Sequence, residues 1–121
     1  MIDADYGAIT VLITMGAVVG KCNAYQLLFI ATIETCFYTL AYILTATVYG
    51  ADDIGCSVWV HLFGGLFGIM CSWTFKNPKS KELKFAQSSY HSNLFAFIGT
   101  MFLWMYWPSY NSALGIGNTK H

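Results

Sequence analysis

Long apolar runs separated by short polar segments are the feature that most limits what this chain of 121 residues can fold into. Only 10% of its residues are charged and 56% are hydrophobic, whereas soluble domains carry about 25% charged residues. About 20 apolar residues in a helix cross the hydrocarbon core of a bilayer. We therefore predict an all-α membrane fold with four transmembrane helices, over residues about 2–20, 24–49, 54–75 and 91–113.

The lysines predict on which side of the membrane each loop lies. Lys21 falls in the first loop, and four more crowd the third: Lys76, Lys79, Lys81 and Lys84. Short cytoplasmic loops are enriched in lysine, so we place both loops in the cytoplasm and the loop with Asp52 and Asp53 outside. The six lysines and six acids balance, so no basic surface indicates a nucleic-acid partner.

The cysteines and histidines do not predict a metal site or an enzyme. Four cysteines lack the spacing of a zinc or redox motif: Cys22, Cys36, Cys56 and Cys71. His91 lies at the cytoplasmic end of the fourth predicted helix, far along the chain from His61. We expect no metal, no cofactor and no catalytic nucleophile–base pair.

His61 is the main candidate functional residue, because an ionisable group inside a span usually faces a cavity or a polar partner. On a helical wheel, the small residues Ser57, Gly64, Gly65 and Gly68 lie within about 60° of it. Such a stripe either lets a neighbouring helix approach closely or leaves free space beside the imidazole. A hydrogen-bonded structural histidine is the alternative.

Two carboxylates have two interpretations each. Asp53 lies near the start of the third predicted helix, where it can cap free N–H groups, serve transport, or do both. Glu34 is the only acid deep inside the second run. It is either protonated and bonded to a neighbouring helix or a member of a proton relay.

Three blocks of sequence resemble the Rh-type branch of the ammonium transporter and channel superfamily. They are residues 1–6 with 16–21, residues 53–68, and residues 94–113, which include Phe-Leu-Trp-Met-Tyr-Trp-Pro-Ser. The likeness covers nearly the whole chain but only part of a family protein. We therefore expect residues 1–121 to be a fragment of a single ammonium-transporter membrane domain.

The resemblance implies a role for each matched residue. His61 corresponds to the first of two pore histidines, and Asp53 to an acid at the outer mouth that supports the site where ammonium is received. Tyr6 and Tyr110 correspond to two stacked phenylalanines that gate the outer end of the pore. Trp107 and Asn111 would support the pore helix that carries Tyr110.

Several positions depart from the family pattern. Both gate residues are tyrosine, and Cys56 replaces a usual glycine at the start of the third helix. Asn93 and Tyr42 stand where acids are common. The second pore histidine belongs to a helix outside these residues.

Transport of ammonium and ammonia is the function that the resemblance implies, with ammonium received at the outer mouth and neutral ammonia conducted through a hydrophobic pore. It further implies carbon dioxide as a second permeant, and a homotrimer or heterotrimer in the lipid bilayer of the plasma membrane. The alternative is a non-transporting structural or membrane-anchoring Rh-like protein. The gate tyrosines and missing acids favour that alternative, whereas Asp53 and His61 favour transport.

Overall fold

The structure is a computed structural model that describes residues 2–75, 87–112 and 115, and the regular secondary structure of these residues is helical. Four α-helices follow one another: α1 (Ile2–Val18), α2 (Ala24–Ile43), α3 (Phe63–Thr74) and α4 (Tyr90–Ser112). A π-helical turn at Leu44–Val48 continues α2, and another at Ser57–Leu62 leads into α3. The predicted all-α fold with four helices is confirmed.

The membrane prediction is supported for two of the four helices. Within the described part of the chain, the continuous segments Ala24–Val48 and Ser57–Thr74 are long and apolar enough to cross a bilayer. Helix α1 is apolar but shorter. The third-loop lysines, which carried most of the orientation prediction, lie outside the described residues.

Local sequence signals set the ends of the helices. Asn23 and Gln26 form a reciprocal capping box at the start of α2, each side chain accepting the other residue's backbone N–H. Gly20 adopts a left-handed φ of 78° after α1, where a glycine commonly ends a helix. The third helical segment begins at Ser57 rather than at 54, because Cys56 has a left-handed φ of 53° that interrupts the helix.

Helices α1 and α3 are packed backbone to backbone. One face of α1 is buried along the length of the helix, and its buried residues lie four apart: Tyr6, Thr10, Thr14 and Val18. A Cβ added to Gly64 would lie 2.9 Å from the Thr10 carbonyl oxygen, and one added to Gly68 would lie 3.1 Å from the Thr14 Cα. The small-residue stripe is therefore used for close approach at these two glycines, whereas a Cβ on Gly65 would meet nothing within 4 Å.

Helix α2 packs against this pair through one face and one aromatic edge. Its buried residues are Ile30, Glu34 and Tyr38. The Tyr38 ring meets the Phe63 ring edge to face at a centroid distance of 6.1 Å. Tyr42 meets Trp59 in the same way at 4.9 Å, so aromatic contacts join α2 to the segment that contains His61.

Helix α4 stands apart, since none of its residues is buried. Its contacts with the other helices come from its last turns, where Trp107 and Tyr110 meet His61. The interior residue Pro108 lacks the N–H that a helix would direct to the Trp104 carbonyl. The site described next lies at this junction.

Candidate functional site

The segment before His61 is organised by Asp53. Its carboxylate accepts three backbone N–H groups, from Ser57 at 3.0 Å, Val58 at 2.7 Å and Trp59 at 3.0 Å. These are N–H groups that the first turn of a helix leaves without intrahelical partners. The capping interpretation of Asp53 is thus confirmed, and its negative charge lies at the positive end of the helix that carries the histidine.

The His61 imidazole is held by the same turn. Its Nδ1 lies 3.1 Å from the carbonyl oxygen of Cys56. A carbonyl oxygen can only accept, so Nδ1 carries the proton in this contact. In the neutral ring Nε2 is then left as a hydrogen-bond acceptor.

Two aromatic rings of α4 contact the histidine, and a ring of α1 contacts one of them. Trp107 meets the His61 ring edge to face at 5.3 Å and stacks on Tyr110 at 5.3 Å. Tyr110 in turn contacts Tyr6 of α1, with the centroids 5.7 Å apart and an interplanar angle of 77°. The structure therefore brings His61, Trp107 and both predicted gate residues together, although the two tyrosines meet edge to face instead of stacking.

An apolar groove of about 620 Å³ opens between α1, the His61 segment and α4. Its wall combines the imidazole with aliphatic and aromatic side chains: Ile9, Ile13, His61, Phe102, Leu103, Tyr106, Trp107 and Tyr110. The groove offers a passing molecule almost no polar surface besides the imidazole. Such a wall favours a neutral solute over a hydrated ion.

Asn111 joins α4 to the loop that contains Asp53. A Cβ added to Gly55 would lie 3.0 Å from the Asn111 Oδ1 atom, so the loop and the end of α4 are in close contact. This contact places Asn111 beside the turn that contains Gly55 rather than in the wall of the groove. His91, which was not expected to join His61 in a metal site, lies in the first turn of α4, at the other end of that helix from Trp107 and Tyr110.

A polar cluster between the helices was not predicted as a unit. The Thr14 hydroxyl of α1 lies 2.5 Å from Oε1 of Glu34 and 3.0 Å from the Gly64 carbonyl oxygen. Glu34 and Thr14 are both fully buried. The signal was present in the sequence, because Tyr6, Thr10 and Thr14 recur every four residues and so share one helix face.

Within the described residues, no group of three or more His, Cys, Asp or Glu side chains could hold a metal ion.

At the opposite end of the bundle, the Lys21 ammonium donates to the Ser72 hydroxyl. The first loop and the end of α3 thus lie together, away from Asp53 and the tyrosine pair.

Comparison with known proteins gives one consistent result. A profile of the Ammonium Transporter Family matches residues 1–121. Ammonium transporter Rh type B of Danio rerio is 44% identical over 123 residues, covering 100% of this chain and 27% of that protein. The protein of the same name from Sus scrofa is 43% identical with the same coverage, and that from Oryzias latipes is 44% identical over 94% of this chain and 25% of its own length.

These matches confirm the Rh-type resemblance that the three sequence blocks indicated. The chain spans 27% of the length of the first of these relatives. No solved structure matches it.

Proposed function

This chain belongs to the ammonium transporter family, and we propose that its protein conducts ammonia across a membrane through a hydrophobic pore with His61 in the wall. The observation that carries the proposal is the imidazole in the wall of an otherwise apolar groove, 5.3 Å from the Trp107 ring. The name of the relatives, ammonium transporter, indicates the substrate class.

The negative charge of Asp53 would attract a cation to the outer mouth. The N-terminal end of a helix carries a partial positive charge, which repels ammonium. The Asp53 carboxylate reverses that sign while it accepts three N–H groups of the turn. A carboxylate has about four lone-pair sites, and the three N–H groups occupy most of those of Asp53. Asp53 would therefore act on ammonium mainly through its charge and through the turn that it caps.

The apolar groove would select the neutral form of the substrate. Moving an ionised ammonium group into an apolar medium is far costlier than moving a neutral amine. Ammonium would therefore transfer its proton to water outside the apolar groove before passage, and ammonia would cross as a neutral molecule. The Nε2 acceptor of His61 would hydrogen-bond the N–H groups of the permeant, replacing part of its lost hydration.

Tyr6 and Tyr110 would form the gate at the outer end. Their edge-to-face contact at 5.7 Å joins α1 to α4, so the passage between these helices is narrow at that level. Ring faces also attract cations, which would raise the local concentration of ammonium outside the gate.

The family also suggests the setting of the pore. We place it in the plasma membrane, in a homotrimer or heterotrimer whose subunits each hold one pore, with carbon dioxide as a second permeant. Lipid would cover the outward faces of the helices, which carry many exposed apolar side chains.

The test uses the complete protein in sealed vesicles and follows internal pH after a jump in ammonium concentration. Entry of ammonia raises the internal pH, so rapid alkalinisation above that of empty vesicles is expected. His61→Leu should slow it about five- to tenfold, because the loss of one hydrogen bond of about 1 to 1.5 kcal/mol has that effect on a rate. His91→Leu, the same change in the first turn of α4, is the matched control.

Two results would contradict the proposal. Folded and inserted wild-type protein that gives no alkalinisation would favour the structural or anchoring alternative. A His61→Leu variant that conducts as fast as the wild type would remove His61 from the mechanism while leaving transport in place.

A further inference from the structure

Glu34 is a fully buried carboxyl group that the proposed conduction path does not use. It lies in the middle of α2 with 0% of its surface exposed. Within the described residues no lysine is paired with it, and its Oε2 atom has no hydrogen-bond partner. A buried ionised carboxylate without a cation is strongly disfavoured, so its protonation state has to be inferred from its contacts.

Those contacts form a chain across three helices. The Oε1 atom of Glu34 lies 2.5 Å from the Thr14 hydroxyl of α1. The same hydroxyl lies 3.0 Å from the carbonyl oxygen of Gly64 in α3. A threonine hydroxyl has one proton to donate, yet both neighbouring oxygens can act as acceptors.

Counting protons resolves this arrangement. The Gly64 carbonyl can only accept, so Thr14 must donate to it for that contact to be a hydrogen bond. Thr14 then has no second proton, and the contact with Glu34 is a hydrogen bond only if the acid donates. An ionised Glu34 would accept the hydrogen bond of the Thr14 hydroxyl, and the Gly64 carbonyl would lose that donor.

We propose that Glu34 is a neutral carboxylic acid that donates to Thr14, which donates to Gly64, and that this chain fixes the position of the helix carrying His61. Glu34 is thus a positioning residue, joined to His61 through Gly64, which follows it by three residues. The effect of Glu34 on conduction rests on the proposed function. The protonation of Glu34 and its hydrogen bonds do not.

The packing around Gly64 makes its position sensitive to this chain. A Cβ at Gly64 would lie 2.9 Å from the Thr10 carbonyl and 3.3 Å from the Ile13 Cβ, so the helix has little room to move towards α1. The hydrogen bond from the Thr14 hydroxyl to the Gly64 carbonyl fixes the position of Gly64 along the axis of α1.

The protonation state is tested by infrared spectroscopy of the complete protein. A protonated acid absorbs at a carbonyl stretch distinct from that of a carboxylate. We expect this band in the difference between the wild type and Glu34→Gln at mildly alkaline pH, and a shift of the band in Thr14→Val. Absence of the band from the wild-type spectrum would overturn the proposal.

Conduction by matched variants tests the positioning role. Glutamine is neutral and offers an N–H donor to Thr14, so Glu34→Gln should conduct within about twofold of the wild type at every pH, since the hydrogen bond persists. Glu34→Leu and Thr14→Val break the chain and should slow conduction and lower the thermal unfolding midpoint. Thr14→Ser keeps the hydroxyl and should retain the conduction rate and the unfolding midpoint of the wild type.

Thr35→Val is the control for Thr14→Val, because the exposed Thr35 hydroxyl bonds only the Ala31 carbonyl of its own helix. A folded Glu34→Gln protein that no longer conducts would overturn the proposal and favour a proton relay. A wild-type protein with the acid band but no conduction would support the protonated chain and overturn only the proposed function.

Discussion

The contact between α1 and α3 differs in kind from the contact that α4 makes with both. Helices α1 and α3 meet at Gly64 and Gly68, where backbone atoms of one helix lie within reach of a Cβ on the other. Helix α4 meets Tyr6 of α1 and His61 of the turn that leads into α3 through the rings of Trp107 and Tyr110, near one end of α4. One contact is long and without spare space, and the other is short and made of side chains.

This difference indicates which part of the molecule sets distances. In a bilayer, apolar helix faces gain nothing by leaving lipid, so association relies on close packing and interhelical hydrogen bonds. The α1–α3 contact has both, since Thr14 and Gly64 are hydrogen-bonded across it. The ring contact at α4 can change by rotation of side chains, whereas the glycine contact cannot adjust without moving a helix.

Gly64→Leu should have the largest effect. Its side chain would be forced against the Thr10 carbonyl oxygen, which already lies 2.9 Å from the position of a Cβ. We expect a free energy of unfolding lower by about 3 kcal/mol or more, the upper range for overpacking. A Cβ on the neighbouring Gly65 would meet nothing within 4 Å. Gly65→Leu is therefore the control for measurements of folded yield and thermal midpoint. Equal loss in both variants would refute the distinction between the two glycines.

Asp53→Ala should have an intermediate effect. It removes the acceptor of three N–H groups, and loss of a cap costs about 1 to 2 kcal/mol. The change also removes negative charge from the proposed outer mouth, so conduction should fall most at low ammonium concentration. Asp52→Ala in the same exposed loop is the comparison, and the concentration dependence of vesicle alkalinisation is the measurement.

Tyr110→Phe should have the smallest effect. The Tyr110 hydroxyl is buried and has no hydrogen-bond partner within the described residues, while the ring makes the contacts with His61 and Tyr6. Removing the hydroxyl should change the free energy of unfolding by less than about 1 kcal/mol and leave conduction intact. A tenfold loss of conduction would instead assign the hydroxyl to the permeant, and Tyr110→Ala provides the comparison that removes the ring.

The existence of the helices followed from simple patterns, but the start of the third one did not. Long apolar runs with few charges predict helices wherever they occur, and four are present. Residues 54–56 belong to the same apolar run, yet Cys56 has a left-handed φ. Composition carries no signal for that conformation at a residue other than glycine or asparagine.

The candidate site was predictable by residue but not by contact. The resemblance named His61, Trp107, Tyr6 and Tyr110, and the structure brings them into one cluster. A uniform helical wheel could not tell which glycines of the stripe would be packed, because the wheel does not say where the neighbouring helix lies. The π-helical turn at Ser57–Leu62 also departs from the 100° per residue that such a wheel assumes.

Glu34 shows the opposite case, in which the sequence held more than was used. Its burial was expected from its place inside an apolar run. Its partner could also be foreseen, because Thr10 and Thr14 put hydroxyl groups on one face of α1. Only the identity of the carbonyl beyond Thr14 required coordinates.

The left-handed backbone of Cys56 leaves the turn before His61 under conformational tension. Any residue with a Cβ pays about 1 to 2 kcal/mol for that conformation, and glycine does not. The Cys56 side chain is 1% exposed, so burial of its sulfur offsets part of that cost. The turn is therefore poised between two opposing contributions: Cys56→Gly would relax the backbone and open a void in the same step.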